Sequence, residues 1–179
     1  MSRFVVISGY SGGGKSTLLA ELNRRGYRVV EEPAKRIVSN QLALNGALRP
    51  WFEPRVYVLR TLVMALEDII TVQKTAKADE WVFFDRSWTD SVVTYHLLSS
   101  EPLSSLLGQL PRNHHRVFLA PPWPEIQPQD ATRWYSIESA TAEYTQLLEG
   151  YPKLGYDVCI LPKTSVAERA DFVLHTLGI

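Results

Sequence analysis

The chain has a single cysteine, two methionines and no surplus of charge of either sign. With Cys159 alone, no internal disulfide is possible, and a reducing compartment is the expectation. Cys159 lies in the apolar run Tyr156–Leu161, where a small buried hydrophobe is expected rather than a nucleophile. Nineteen basic residues match nineteen acidic ones. The chain therefore lacks the positive field of a general nucleic-acid or membrane-surface binder, and neither partner is expected. No apolar stretch approaches the ~18 residues of a membrane span. No charged-then-apolar leader precedes the strand pattern that begins at Phe4, so a cytoplasmic protein is expected. Metal-ligand spacings are missing too. Of the four histidines, only His114 and His115 are close in sequence, and chain neighbours are expected to point apart.

What is present is enough apolar material for a real core. The 179 residues are 45% hydrophobic and 21% charged, which fits one domain spanning residues 1–179. Short apolar runs at Phe4–Ser8, Tyr27–Val30, Trp81–Asp85, Arg116–Ala120 and Tyr156–Leu161 read as strands. Helical spacing fills the intervals: Ser16–Arg25, Ala34–Leu44, Pro54–Ala78, Ser87–Leu98 and Ser136–Glu149. A last helix opens at the capping box Ser165-Val166-Ala167-Glu168. In the longest helix Val56, Leu59, Leu62, Val63, Leu66, Ile69 and Ile70 form one apolar face, expected to pack in the core. Ile137, Ala140, Tyr144, Leu147 and Leu148 do the same for the fifth. Strands alternating with helices predict an α/β fold with about five mostly parallel strands and helices on both faces. The polar, proline-bounded stretch after the fourth strand is a loop or a lid, placed at 124–136.

Gly9-Tyr10-Ser11-Gly12-Gly13-Gly14-Lys15-Ser16-Thr17 matches the phosphate-loop pattern at every fixed position. It follows a strand pattern and opens a helical one, which is the context the motif requires. The glycines let backbone amides approach phosphate oxygens, and the helix start adds its positive end. A nucleoside triphosphate, ATP, is the expected ligand. Lys15 is expected to face solvent and reach the β and γ phosphates. The Ser16 hydroxyl is expected to join the shell of Mg²⁺.

Carboxylates and cations cluster at the ends of the other strands. Asp85 ends the third strand, where α/β folds present ligand-binding groups, and is expected to organise Mg²⁺. Ser87-Trp88-Thr89-Asp90 resembles a capping box, so Asp90 reads either as a cap or as a second metal-linked carboxylate. Arg86 follows Asp85 where many motor-type ATPases carry a water-polarising glutamate, which favours transfer to a bound acceptor over hydrolysis. Glu31 or Glu32 at the end of the second strand supplies an acceptor base, Glu32 being favoured because Pro33 fixes its backbone. Lys35, Arg36 and Arg86 either hold an anionic substrate or are surface charge. Arg133, after the fourth strand, is expected to neutralise the transferring phosphoryl group from the lid.

These residues resemble the AAA-type P-loop ATPase/kinase family that includes the ribosylnicotinamide kinase domain of the NAD regulator. The resemblance spans nearly the whole chain. It rests on Gly9–Thr17, Glu32-Pro33-Ala34-Lys35-Arg36 and Phe84-Asp85-Arg86-Ser87. It continues through Pro121-Pro122-Trp123-Pro124-Glu125-Ile126, Asp130-x-x-Arg133 and the tail from Leu161-Pro162 to Glu168-Arg169. The Glu-Pro and Asp-Arg-Ser strings are also similar to deoxynucleoside kinases. The resemblance implies a P-loop NTPase fold of the kinase type, ATP with Mg²⁺, and a lid carrying Arg133. The resulting expectation is an Mg²⁺-dependent kinase acting on a small hydroxyl-bearing, nucleoside-like acceptor. The alternatives are an ATPase without acceptor and a nucleotide-gated binding module.

Overall fold

A strand covered on both faces needs apolar side chains at consecutive positions, because successive residues point to opposite sides. Strand β1 (Phe4–Gly9) meets that need. Val5 and Ile7 enter one core with Leu18, Leu22, Phe83, Phe118 and Val173. Val6 enters a second core with Ile69, Phe84, Trp88, Leu119 and Tyr151. The computed structural model describes residues 2–43, 53–99, 110–126 and 136–179, with side chains of the second helix described as far as 39.

β1 is the centre of a five-stranded sheet ordered β2-β3-β1-β4-β5. The others are β2 (Arg28–Val30), β3 (Val82–Asp85), β4 (Arg116–Ala120) and β5 (Asp157–Ile160). Every pairing is parallel, with Ile7 opposite Asp85 and Gly9 opposite Ala120. All strand ends therefore arrive at one edge. Helices α1 (Lys15–Arg24) and α6 (Val166–Leu177) cover one face of the sheet. Helices α3 (Pro54–Thr75), α4 (Trp88–Ser99) and α5 (Ile137–Lys153) cover the other. Helix α2 (Pro33–Ala43) packs with α3 and α4 in a small satellite core around Ile37, Tyr57 and Val58. Ser165 and Glu168 cap α6 reciprocally, as their spacing requires.

Three expectations are corrected. The buried face of α3 runs through Tyr57, Val58, Ala65, Ile69 and Val72, whereas Val56, Leu59, Val63 and Ile70 are exposed. Apolar residues extend around α3 beyond the face that packs, so apolarity alone does not pick out its buried side. In α5, Ile137 and Leu148 are likewise exposed, while Ala140, Leu147, Gly150 and Tyr151 face inward. Gly150 carries that contact, since a Cβ there would meet Val93 Cγ2 at 2.6 Å. The rings of His114 and His115 do not point apart: their centroids are 4.3 Å from each other. Cys159 is half-buried, and burial raises its thiol pKa.

Candidate active site

The turn after β1 is set by how tightly β1 meets β4. Gly9 has φ 105°, and a Cβ there would lie 2.5 Å from the Ala120 carbonyl oxygen, so only glycine fits. The next amide, Tyr10 N–H, donates to that same oxygen at 2.8 Å. The Tyr10 side chain is buried and anchors the loop from below. Gly14, in the left-handed region, precedes α1. No side chain caps this helix and no acidic residue stands in its first turn. Its positive end is thus left open to an anion.

Lys15 corrects the expectation of solvent exposure: it is only 7% exposed. Its ammonium folds back along the loop and donates to the carbonyls of Tyr10 at 2.9 Å and Gly9 at 3.4 Å. Burial, assisted by repulsion from Arg86, lowers its pKa to about 8 against the pull of Glu32, Asp85 and Glu143.

Parallel pairing of β2 and β3 sets Val30 opposite Phe84 and brings Glu32 beside Arg86. Arg86 has φ 62°, and among the described residues it is the non-glycine with positive φ. Such a conformation persists where surrounding bonds hold it. The Arg86 amide donates to the Ile7 carbonyl at 3.0 Å. Its guanidinium forks onto Glu143 of α5, with Nη1 at 2.9 Å from one oxygen and Nη2 at 3.1 Å from the other. It also reaches the Gly9 carbonyl at 3.1 Å and Glu32 at 3.3 Å. Burial opposes the charge on Arg86, but Glu143, Glu32 and Asp90 hold its pKa well above the ordinary value. Burial also raises the Glu32 pKa, yet Arg86, Lys35 and Lys15 together keep it below the usual carboxylate value. Glu143 had no signal in the sequence: it lies 57 residues from its partner.

Asp90 takes the capping role. One oxygen accepts from the Ser87 amide at 2.9 Å and the Tyr151 hydroxyl at 2.7 Å, and the other from the Ser8 hydroxyl. Asp85 is different. It is buried, and its Oδ1 has no hydrogen-bond partner. Its Oδ2 lies 2.9 Å from the Lys35 ammonium, which is also 3.1 Å from Ser16 Oγ. A cation thus sits between the two residues expected to bind Mg²⁺, and the second carboxylate oxygen of Asp85 is left without a hydrogen-bond partner. That donor set fits a hard divalent ion. Among the described residues no three His, Cys, Asp or Glu side chains cluster as a cage, so water and phosphate would complete the shell.

The loop opens into a cavity of about 800 Å³. Its lining includes Glu32, Lys35 and Arg86 together with Trp123, Ile126, Val166 and Arg169. Arg169 is buried, donates to the carbonyls of Gly13 at 3.0 Å and Gly14 at 3.3 Å, and lies 5.6 Å from the centre of the Trp123 ring. Sequence reasoning assigned neither Arg169 nor Trp123 a role. The signal available was spacing: Arg169 stands four residues after Ser165, on the same side of α6. Arg36 is not brought to the cavity, since its guanidinium pairs with Asp68 of α3. Of the lid placed at 124–136, Pro124–Ile126 form a short 3-10 turn and Ser136 caps α5. Arg133 lies outside the described residues.

A family model described as an AAA domain matches residues 4–169. No curated protein sequence matches the chain significantly. Among solved structures, a deoxyadenosine kinase from M. mycoides with bound dATP aligns over 98% of this chain and 100% of its own, at 16% identity and a TM-score of 0.63. A thymidylate kinase from Ehrlichia chaffeensis aligns over 98% of both chains, at 13% identity and a TM-score of 0.64. NadR protein in complex with NR aligns over 99% of this chain and 52% of its own, at 20% identity and a TM-score of 0.76. At such identities the likeness is one of fold, and the fold is that of the P-loop kinases.

Proposed function

The chain belongs to this AAA-domain family, and from that premise we propose that it is an ATP-dependent phosphotransferase acting on a small, nucleoside-like hydroxyl compound. One observation carries the reading: the phosphate loop and the Glu32–Arg86 pair line the same cavity. A triphosphate held by the loop would present its γ-phosphoryl group toward that pair. The solved kinases share only the fold with this chain, so they support the reading without fixing the acceptor.

In this account the amides of residues 12–17 and the open end of α1 hold the β and γ phosphates. Lys15 leaves the Tyr10 carbonyl and turns its charge onto them. Trp123, Ile126 and Arg169 form the base-binding end. Ser16 and Asp85 would hold Mg²⁺, which supplies neutralisation of phosphate charge when bound. Arg86, pinned by Glu143, orients the acceptor hydroxyl, and Glu32 takes its proton. The acceptor oxygen bonds to the γ-phosphorus as the bond to the β–γ bridging oxygen breaks, so ADP departs. Arg133 is assigned the neutralisation of charge on the transferring phosphoryl group. A low pKa keeps Glu32 ionised at neutral pH but makes it a weak base, which suits a loose transition state with late proton transfer.

The test is incubation with γ-labelled ATP and a panel of nucleosides and small hydroxyl metabolites. Labelled product supports the reading. ATP consumption with every acceptor unlabelled replaces it with an ATPase.

A further inference from the structure

Lys35 stands in the first turn of α2, where its ammonium meets three oxygens from three parts of the chain. These are Ser16 Oγ at 3.1 Å, Asp85 Oδ2 at 2.9 Å and Glu32 Oε2 at 3.0 Å. The set consists of one hydroxyl and two carboxylates. It is the oxygen-only, anionic donor set that a hard cation takes. An ammonium makes the same demand through three N–H donors.

We propose that Lys35 is a tethered counter-ion of the cation site: its ammonium is held by Ser16, Asp85 and Glu32 in the nucleotide-free protein and must leave the Ser16–Asp85 site when a divalent cation arrives with the triphosphate. The proposal rests on the cation role given above to Ser16 and Asp85. Two features of the residue suit it to this duty. Its side chain is 48% exposed whereas that of Asp85 is 5% exposed, so the head can swing into the open cavity without disturbing the core. Its anchor is a helix start rather than a strand, and four methylenes separate charge from backbone. A monovalent head with three hydrogen bonds is displaced by a divalent ion only when phosphate oxygens join the shell. Free Mg²⁺ alone therefore binds poorly, and the metal enters with nucleotide. Lys35 thereby gives the carboxylates of Glu32 and Asp85 a common partner.

The experiment is titration of Mn²⁺, read by the loss of its free electron-resonance signal, into the nucleotide-free parent and Lys35→Met. The account expects Lys35→Met to bind Mn²⁺ about ten-fold more tightly than the parent, because the internal competitor is gone. The gain should persist at about 0.5 M KCl, where a mere change of surface field is screened within a few ångströms. Equal affinity in the two proteins overturns the proposal, as does a gain that salt erases. The double variant Lys35→Met/Asp85→Asn separates the two levels: if it binds as tightly as Lys35→Met, the cation role of Asp85 itself falls. Should Lys35→Met not fold, nitrogen-15 spectra of the lysine ammonium groups in the parent give the answer. The slowly exchanging ammonium signal that Lys35→Arg removes, as distinct from that of Lys15, should be present without metal and lost with Mg²⁺ and a non-hydrolysable ATP analogue. A signal unmoved by that mixture contradicts the displacement.

Discussion

Arg169 Nη2 donates to the Gly13 carbonyl oxygen at 3.0 Å, tying the last helix to the phosphate loop 156 residues upstream. A second nitrogen reaches Gly14 at 3.3 Å. A loop whose carbonyls are held on one side presents its amides on the other, so Arg169 sets the attitude of the phosphate cradle. Removing it leaves the Gly13 carbonyl short of a donor, while the Gly14 carbonyl keeps the Leu18 amide and the Thr17 hydroxyl. Arg169→Met should therefore speed amide hydrogen exchange across residues 12–16 and weaken ATP binding by roughly ten-fold, the loss of one charge-assisted contact. Unchanged exchange in the loop would show that Arg169 only fills space.

Lys15 carries a cost in the empty protein. Its pKa falls from 10.5 to about 8 on folding. Between those values the unfolded chain binds more protons than the folded one, so stability rises with pH there. The penalty is complete below pH 8 and is relieved as pH climbs toward 10.5. The Tyr10 and Gly9 carbonyls keep other donors, Gly13 N–H and Arg86 Nη2, when Lys15 is lost. Lys15→Met should stabilise the nucleotide-free protein by about 1–2 kcal/mol at pH 7, once lost hydrogen bonds are set against the relieved desolvation. It should also abolish tight ATP binding. Urea unfolding at pH 7 and pH 10 checks the sign: the gain should shrink at the higher pH.

Asp85→Asn keeps size and one acceptor oxygen but removes the charge a hard cation needs. It should raise the Mg²⁺ concentration for half-maximal activity by roughly 10–100-fold, the range seen when the surroundings of a metal site are altered. Metal-free nucleotide binding should change little. Titration of Mg²⁺ at fixed ATP measures both, and an unshifted Mg²⁺ midpoint would confine Asp85 to a structural role.

The sheet, its strand-ending carboxylates and the phosphate loop were legible in the sequence because each is local. A run such as Val5-Val6-Ile7 announces a strand closed on both faces, and the glycine pattern before Lys15 and Ser16 announces the turn that opens α1. Three things were not legible. The orientation of α3 was hidden because Val56 and Val63 are as apolar as the residues that face the core. The Arg86–Glu143 fork joins β3 to a helix that only the fold brings near. The fold-back of Lys15 depends on the carbonyls of Gly9 and Tyr10, which only the turn after β1 brings within its reach. Arg36 shows the reverse error of locality: it neighbours Lys35 in sequence, but one step along a helix turns it to Asp68 instead of the cavity.

The central claim is that Glu32 serves an acceptor rather than water. The direct measurement is single-turnover transfer from γ-labelled ATP to the acceptor identified by the panel, comparing the parent with Glu32→Gln. The account predicts that Glu32→Gln binds ATP nearly as the parent does and transfers roughly a hundred-fold more slowly, the lower range for loss of a general base. A panel in which no acceptor becomes labelled, with Glu32→Gln hydrolysing ATP as fast as the parent, would contradict it.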